Sequence, residues 1–140
     1  MICTFFGHRN CPERIRPELK RAITELIETK GVNVFYVGNH GAFDAMALSV
    51  LKEIKHEYQH IDYAVVLAYI PADSSAADPL HTLLPDGIEA VPKRFSISYR
   101  NNWMLKHATF VISHVTVPHG GAAQYVEKAE KQGKIVINII

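Results

Sequence analysis

Three short stretches gather the residues that could do chemistry: "FGHRN" (Phe6 to Asn10), "VGNHGAFD" (Val37 to Asp44) and "VPHGGAAQ" (Val117 to Gln124). Each follows an apolar run and combines glycine with a histidine. Glycine lets backbone N–H groups come close to a ligand. A helix that opens at such a turn offers unpaired N–H groups and the positive end of its dipole, which suits phosphate. The chemistry to expect is capture of an anion or a nucleotide. The candidates are Gly7, His8 and Arg9, then Gly38, Asn39, Gly41 and Asp44, then Gly120 and Gly121. Arg100 and Asn101 join them from "SYRNNWML", because the arginine fork binds phosphate bidentately.

Each candidate has a plainer alternative. Any strand-to-helix turn favours glycine, and Asp44 suits a helix N-terminus with or without a ligand. The turns match neither G-x-G-x-x-G nor G-x-x-x-x-G-K-[ST]. A lone arginine is usually a solvated charge. Trp103 reads as core or half-core, with base stacking as the alternative. Glu127 lies on the helix opened by Gly120 and Gly121. It faces either the same pocket or solvent, beside Lys128 and Lys131. His8, Cys11, His40 and His119 come from three separate turns with no C-x-x-C or H-x-x-x-H pair, so no metal is expected. The absence of G-x-S-x-G speaks against a serine nucleophile.

These turns need elements to position them. Apolar runs at Ile2 to Phe6, Val34 to Val37, Ile61 to Ile70, Thr109 to Val115 and Ile135 to Ile140 read as strands. The run from Ile61 to Ile70 suits a central strand covered on both faces. Apolar residues at threes and fours predict helices from Pro12 to Gly31, over Phe43 to Ile54, over Ile97 to Lys106 and after Gly121. Pro71 to Gly87 is a long loop, followed by a brief extended piece, "IEAVP". Alternating strands and helices predict an α/β fold, a Rossmann-like three-layer sandwich with a mostly parallel sheet. In such sheets ligands bind beyond the carboxyl ends of the strands.

The 140 residues fit one domain, residues 1–140, and the hydrophobic content of 48% allows a core without disulfides. Two cysteines and no signal-peptide pattern suggest a reduced, cytoplasmic setting. No apolar run approaches membrane-spanning length, and no membrane partner is expected. A net charge of +1 gives no basic footprint, so a nucleic-acid partner is not expected.

"CTFFGHRNCP", "FYVGNHGAFD", "VVLAYIP", "RNNWM" and "GGAAQYVEKAEKQGKIVINI", in that order, resemble the YpsA-like branch of the SLOG superfamily. The resemblance covers nearly the whole chain. That superfamily groups DNA processing protein A with the Lonely Guy phosphoribohydrolases. The resemblance implies a Rossmann-like fold that holds a nucleotide or nucleotide-derived small molecule at the strand ends, with no cofactor, and a homo-oligomer. The Lonely Guy pattern Arg-Lys-x-x-Met is met at Arg100 and Met104, and P-G-G-x-G-T-x-x-E at Gly120, Gly121 and Glu127. The resemblance would give Arg100 and Glu127 a catalytic role in cleaving the N-glycosidic bond of a nucleoside 5′-monophosphate. Asn101, His119 and the Ala123-Gln124 pair depart from that pattern, and the missing Gly-Thr is a phosphate donor. The expected function is therefore nucleotide binding, as in a sensor, with the phosphoribohydrolase as the alternative. The single-stranded DNA binding of DNA processing protein A is disfavoured by the charge.

Overall fold

The computed structural model describes residues 1–70 and 80–140. The elements in chain order are β1 (Ile2–Gly7), a 3-10 turn (Glu13–Ile15), α1 (Arg16–Lys30), β2 (Val34–Val37), α2 (Ala42–Glu57) and β3 (Asp62–Val66). Then come β4 (Thr82–Leu83), a second 3-10 turn (Ile88–Ala90), α3 (Lys93–His107), β5 (Phe110–His114), α4 (Gly121–Lys131) and β6 (Ile135–Asn138). The sheet order is β4-β3-β2-β1-β5-β6, and every neighbouring pair is parallel. The α/β, Rossmann-like reading of the sequence holds. The chain starts mid-sheet, steps outward through β2 to β4, then crosses back to build β5 and β6 on the other side of β1. The direction of winding reverses between β1 and β5, and a crevice opens there.

Side-chain alternation along β1 divides the core in two. Cys3 and Phe5 point to one face, where they join Leu19 and Ile23 of α1 with Phe43, Ala47 and Leu51 of α2. Phe6 points to the other face and joins Met104 and Leu105 of α3 with Ala129 of α4. The heptad-like spacing of Leu19, Ile23, Leu26 and Ile27 buries one stripe of α1 and leaves its charged stripe in water. No helix among the described residues is long and apolar enough to cross a membrane.

Four expectations need correction. The run from Ile61 to Ile70 forms a strand only over Asp62–Val66, one place in from the edge rather than at the centre. Its end has a cause: the Val66 carbonyl is taken by a side chain, Arg100, and Tyr69 and Ile70 turn outward into solvent. "IEAVP" is not extended. Ile88–Ala90 is a 3-10 turn, closed by bonds from Ile88 N–H to the Pro85 carbonyl and from Ala90 N–H to the Gly87 carbonyl. The third helix starts at Lys93, directly after Pro92, rather than at Ile97. Of the long loop, residues 71–79 lie outside the described residues, and Thr82–Leu83 forms the edge strand β4.

Leu51 is fully buried in the α1/α2 core. Leu51→Ala should lower stability by about 2–5 kcal/mol in urea unfolding. A loss below about 1 kcal/mol would mean that this face is not closely packed.

Candidate functional site

A cleft of about 320 Å³ opens at the carboxyl ends of β1 and β5. Gly7, His8 and Arg9 line it from the end of β1, His40 and Asp44 from the β2–α2 turn. Arg100 and Asn101 enter from α3, and Gly121 and Ala122 from the start of α4. The floor is apolar, with Phe5, Phe6, Met104 and Tyr125. Tyr125 stacks on Phe6 with ring centroids 5.1 Å apart. The sequence candidates on three separate turns therefore meet in one place.

Arg100 is the centre of that meeting. It is 2% exposed. Its Nη1 donates to the Val66 carbonyl at 2.8 Å and to Asn39 Oδ1 at 3.1 Å. Nε donates to Asn101 Oδ1 at 2.7 Å, and Nη2 faces His40 Nδ1 at 3.1 Å. Arginine has no acceptor, so the Nη2 contact requires His40 to present an unprotonated Nδ1. One guanidinium thus ties α3 to the end of β3 and to the β2–α2 turn. Burial lowers its pKa from the ordinary value, and the charge of Asp44 is the leading opposing influence. Most of its donors are already committed inside the protein, which leaves little of the fork for a phosphate.

Gly38 is small because these groups close over it. A Cβ there would lie 2.9 Å from Asp44 Oδ2 and 3.1 Å from the Arg100 guanidinium carbon. Gly41 is held at φ +95°, a region that side chains avoid, and a Cβ would press on Arg9 Cα at 2.9 Å. The next residue, Ala42, donates its N–H to the Arg9 carbonyl at 2.7 Å. This clasp fixes the Arg9 loop to the start of α2 while the Arg9 side chain stays exposed.

Asp44 sits in the first turn of α2 and accepts the His40 N–H at 3.0 Å. This both caps the turn and complements the helix dipole. Burial raises its carboxyl pKa to about 6, against the pull of the His40 N–H and of Arg100. Burial also lowers the pKa of His40, with Arg100 and Arg9 adding to the effect. At the opposite wall, His8 Nε2 accepts the Thr116 N–H at 2.9 Å, and its ring meets His114 edge-on. His114 is buried and bonds the Ile139 carbonyl through Nδ1 at 2.7 Å. The N-terminus of α4 has no side-chain cap and no acid in its first turn, and Gly120 and Gly121 are both exposed there.

Other sequence candidates fall elsewhere. Glu127 is exposed, bonds Lys131 at 3.0 Å and does not line the cleft. Trp103 is half-buried against Tyr36, with centroids 5.3 Å apart. His119 is exposed, and Cys11 is half-buried. Among the described residues no three of histidine, cysteine, aspartate or glutamate gather as a metal ion would require. Sequence reasoning considered His40 only as a metal ligand and missed Tyr125 altogether. Tyr125 lies four residues after Gly121, one helical turn on, and that spacing was the available signal.

Arg100→Met would strip the buried Val66 carbonyl and Asn39 of their donor. It should cost at least about 2 kcal/mol in urea unfolding, since a buried acceptor left unpaired costs about 1–3 kcal/mol. Asp44 predicts a pH effect of definite sign. Its folded pKa lies above the unfolded value, so the folded state binds the extra proton between about pH 4 and pH 6. The parent should therefore lose stability relative to Asp44→Asn as pH rises through that window, by up to about 3 kcal/mol. His40, with its lowered pKa, acts in the opposite sense in both proteins and cancels in the comparison. A flat difference across the window would show that Asp44 titrates normally.

No family model matches the sequence, and no curated protein matches it. A solved structure, DNA processing protein A (DprA) from Streptococcus pneumoniae, superposes with a TM-score of 0.69 at 17% identity. The match covers 97% of this chain and 49% of that one, so the chain spans about half the length of the protein it resembles. At that identity the likeness establishes the fold, a parallel Rossmann-like sheet of the kind that DNA processing protein A contains.

Proposed function

We propose that the cleft binds a nucleotide or nucleotide-derived small molecule, and that the chain is a ligand sensor of the YpsA-like branch of the SLOG superfamily, working in the cytoplasm. The observation that carries this reading is the two-sided character of the cleft. One wall is cationic and rich in N–H groups, with exposed Arg9 and the uncapped start of α4. The floor is apolar and aromatic, with Phe6, Met104 and Tyr125. A phosphate suits the first and a base or ribose face the second. The volume of about 320 Å³ falls in the range of small-molecule sites. Arg9 takes the role of the mobile phosphate ligand, and Arg100 that of the post on which the cleft is built. A hydrolase would need a carboxylate at the anomeric carbon, and the exposed position of Glu127 weighs against that role.

The test is ligand-observed NMR with a mixture of AMP, ADP-ribose, NAD and cyclic dinucleotides, followed over hours. Signal transfer from the protein without new peaks is expected. A Cβ at Gly121 meets no atom within 4 Å, so Gly121→Val leaves the fold free while filling the cleft wall. Gly121→Val should abolish transfer, and Arg9→Ala should weaken it roughly tenfold or more. Transfer that persists unchanged in Gly121→Val would place the site elsewhere. New base and sugar-phosphate peaks that vanish in Glu127→Ala would make the protein a hydrolase.

A further inference from the structure

The outer edge of β6 stands apart from the cleft. The N–H groups of Ile135 and Ile139 donate to the carbonyls of Thr109 and Ser113 in the parallel ladder. By the alternation of that ladder, Val136, Asn138 and Ile140 turn their N–H and C=O groups outward. No strand among the described residues pairs with them. Edge strands are normally blunted by charge, proline or brevity. The opposite edge, β4, is two residues long. The β6 edge has none of these devices: the run is Ile135-Val136-Ile137-Asn138-Ile139-Ile140. Ile135 is 52% exposed and Ile140 71%.

Beside the strand, a groove runs between β6 and α1. It consists of two adjoining cavities of about 340 and 300 Å³ that share Ala22, Glu25 and Ile137. Its rim on α1 carries Glu18, Arg21, Glu25 and Lys30. The rim is self-complementary. A two-fold axis level with Ile23 or Thr24 sets Glu18 across from the partner's Lys30, and Arg21 across from the partner's Glu25. The same kind of axis placed at Asn138 pairs β6 with its copy in antiparallel fashion. Val136 then lies opposite the partner's Ile140, and Ile137 opposite the partner's Ile139. Both axes fall near the middle of the groove, where its two cavities meet. The exposed Arg21–Glu18 bond, at 2.6 Å, is free to exchange partners.

We propose that β6 is a homodimer interface, in which two copies join edge to edge about a two-fold axis through Asn138 and form one continuous sheet. Apolar cross-strand pairs and the outward amides supply the attraction, and the alternating rim charges fix the antiparallel direction. A slip by two residues, with the axis at Val136, would set Lys134 opposite the partner's Asn138 and lose the pairing of Ile140. The register is therefore specified.

Sedimentation velocity over a concentration series tests this with the parent, Ile140→Pro and Ile140→Lys. Ile140 donates no ladder bond to β5 and is largely exposed, so both variants should keep the circular dichroism spectrum and melting curve of the parent. The parent should approach twice 15.7 kDa as concentration rises. The proline variant lacks an outward N–H, the lysine variant sets a charge against Val136, and both should remain at the monomer mass. Amide exchange should slow at Asn138 and Ile140 in the dimer only. A parent that stays monomeric at every concentration would leave the edge to a strand from another chain and overturn the proposal. A dimer that survives in both variants would place the interface on another face and overturn it equally.

Discussion

The cleft depends on one buried guanidinium. Arg100 comes from α3, but its hydrogen bonds end on the β3 carbonyl terminus and on the β2–α2 turn. Without it, Val66 would have an unpaired buried carbonyl, Asn39 and His40 would lose their orientation, and Gly38 would have no reason to be glycine. A charge removed from water this far costs several kcal/mol unless it is fully hydrogen-bonded. The satisfied geometry explains why the surrounding residues are small, polar and closely fitted. The same fit shapes the electrostatics, since the Asp44 carboxyl and the His40 ring both share the desolvated surroundings of the guanidinium.

The sequence carried the fold through periodicity. Helices α1 and α2 and strands β1, β2 and β5 were legible because each buries one stripe or one continuous run, and their boundaries fell at glycine or proline. The failures have physical causes. The end of β3 is set by a side chain more than thirty residues away, which bonds Val66, and no local pattern announces that. "IEAVP" has the composition of a strand, yet Gly87 and Pro85 fold it into a 3-10 turn. Lys93 and Arg94 opened α3 without an apolar residue to mark the start.

The site was legible in part for a related reason. Gly7, Arg9, Gly38, Gly41, Asp44, Arg100 and Gly121 come together because strand order dictates which turns share an edge, and alternating elements imply that order. Their roles were harder to read. Arginine in a glycine-rich neighbourhood suggests phosphate, but the internal partners of Arg100 show a residue that builds the wall rather than one held out to a ligand. Glu127 faces solvent because α4 buries chiefly Ala129, and the opposite stripe carries the charges. Motif spacing placed that glutamate on the right helix but could not say which way it points.

The sheet separates two cores that share no side chain, one under α1 and α2, the other under α3 and α4. The cleft draws a wall from each: His40 and Asp44 belong to the first layer, Tyr125 and Gly121 to the second. Arg100 already spans that divide as a single rivet. Any molecule that fills the cleft would act as another, coupling the unfolding of one half to that of the other. Occupancy would then be written in the cooperativity of the whole molecule, and a downstream reader could sense it from a surface far from the pocket.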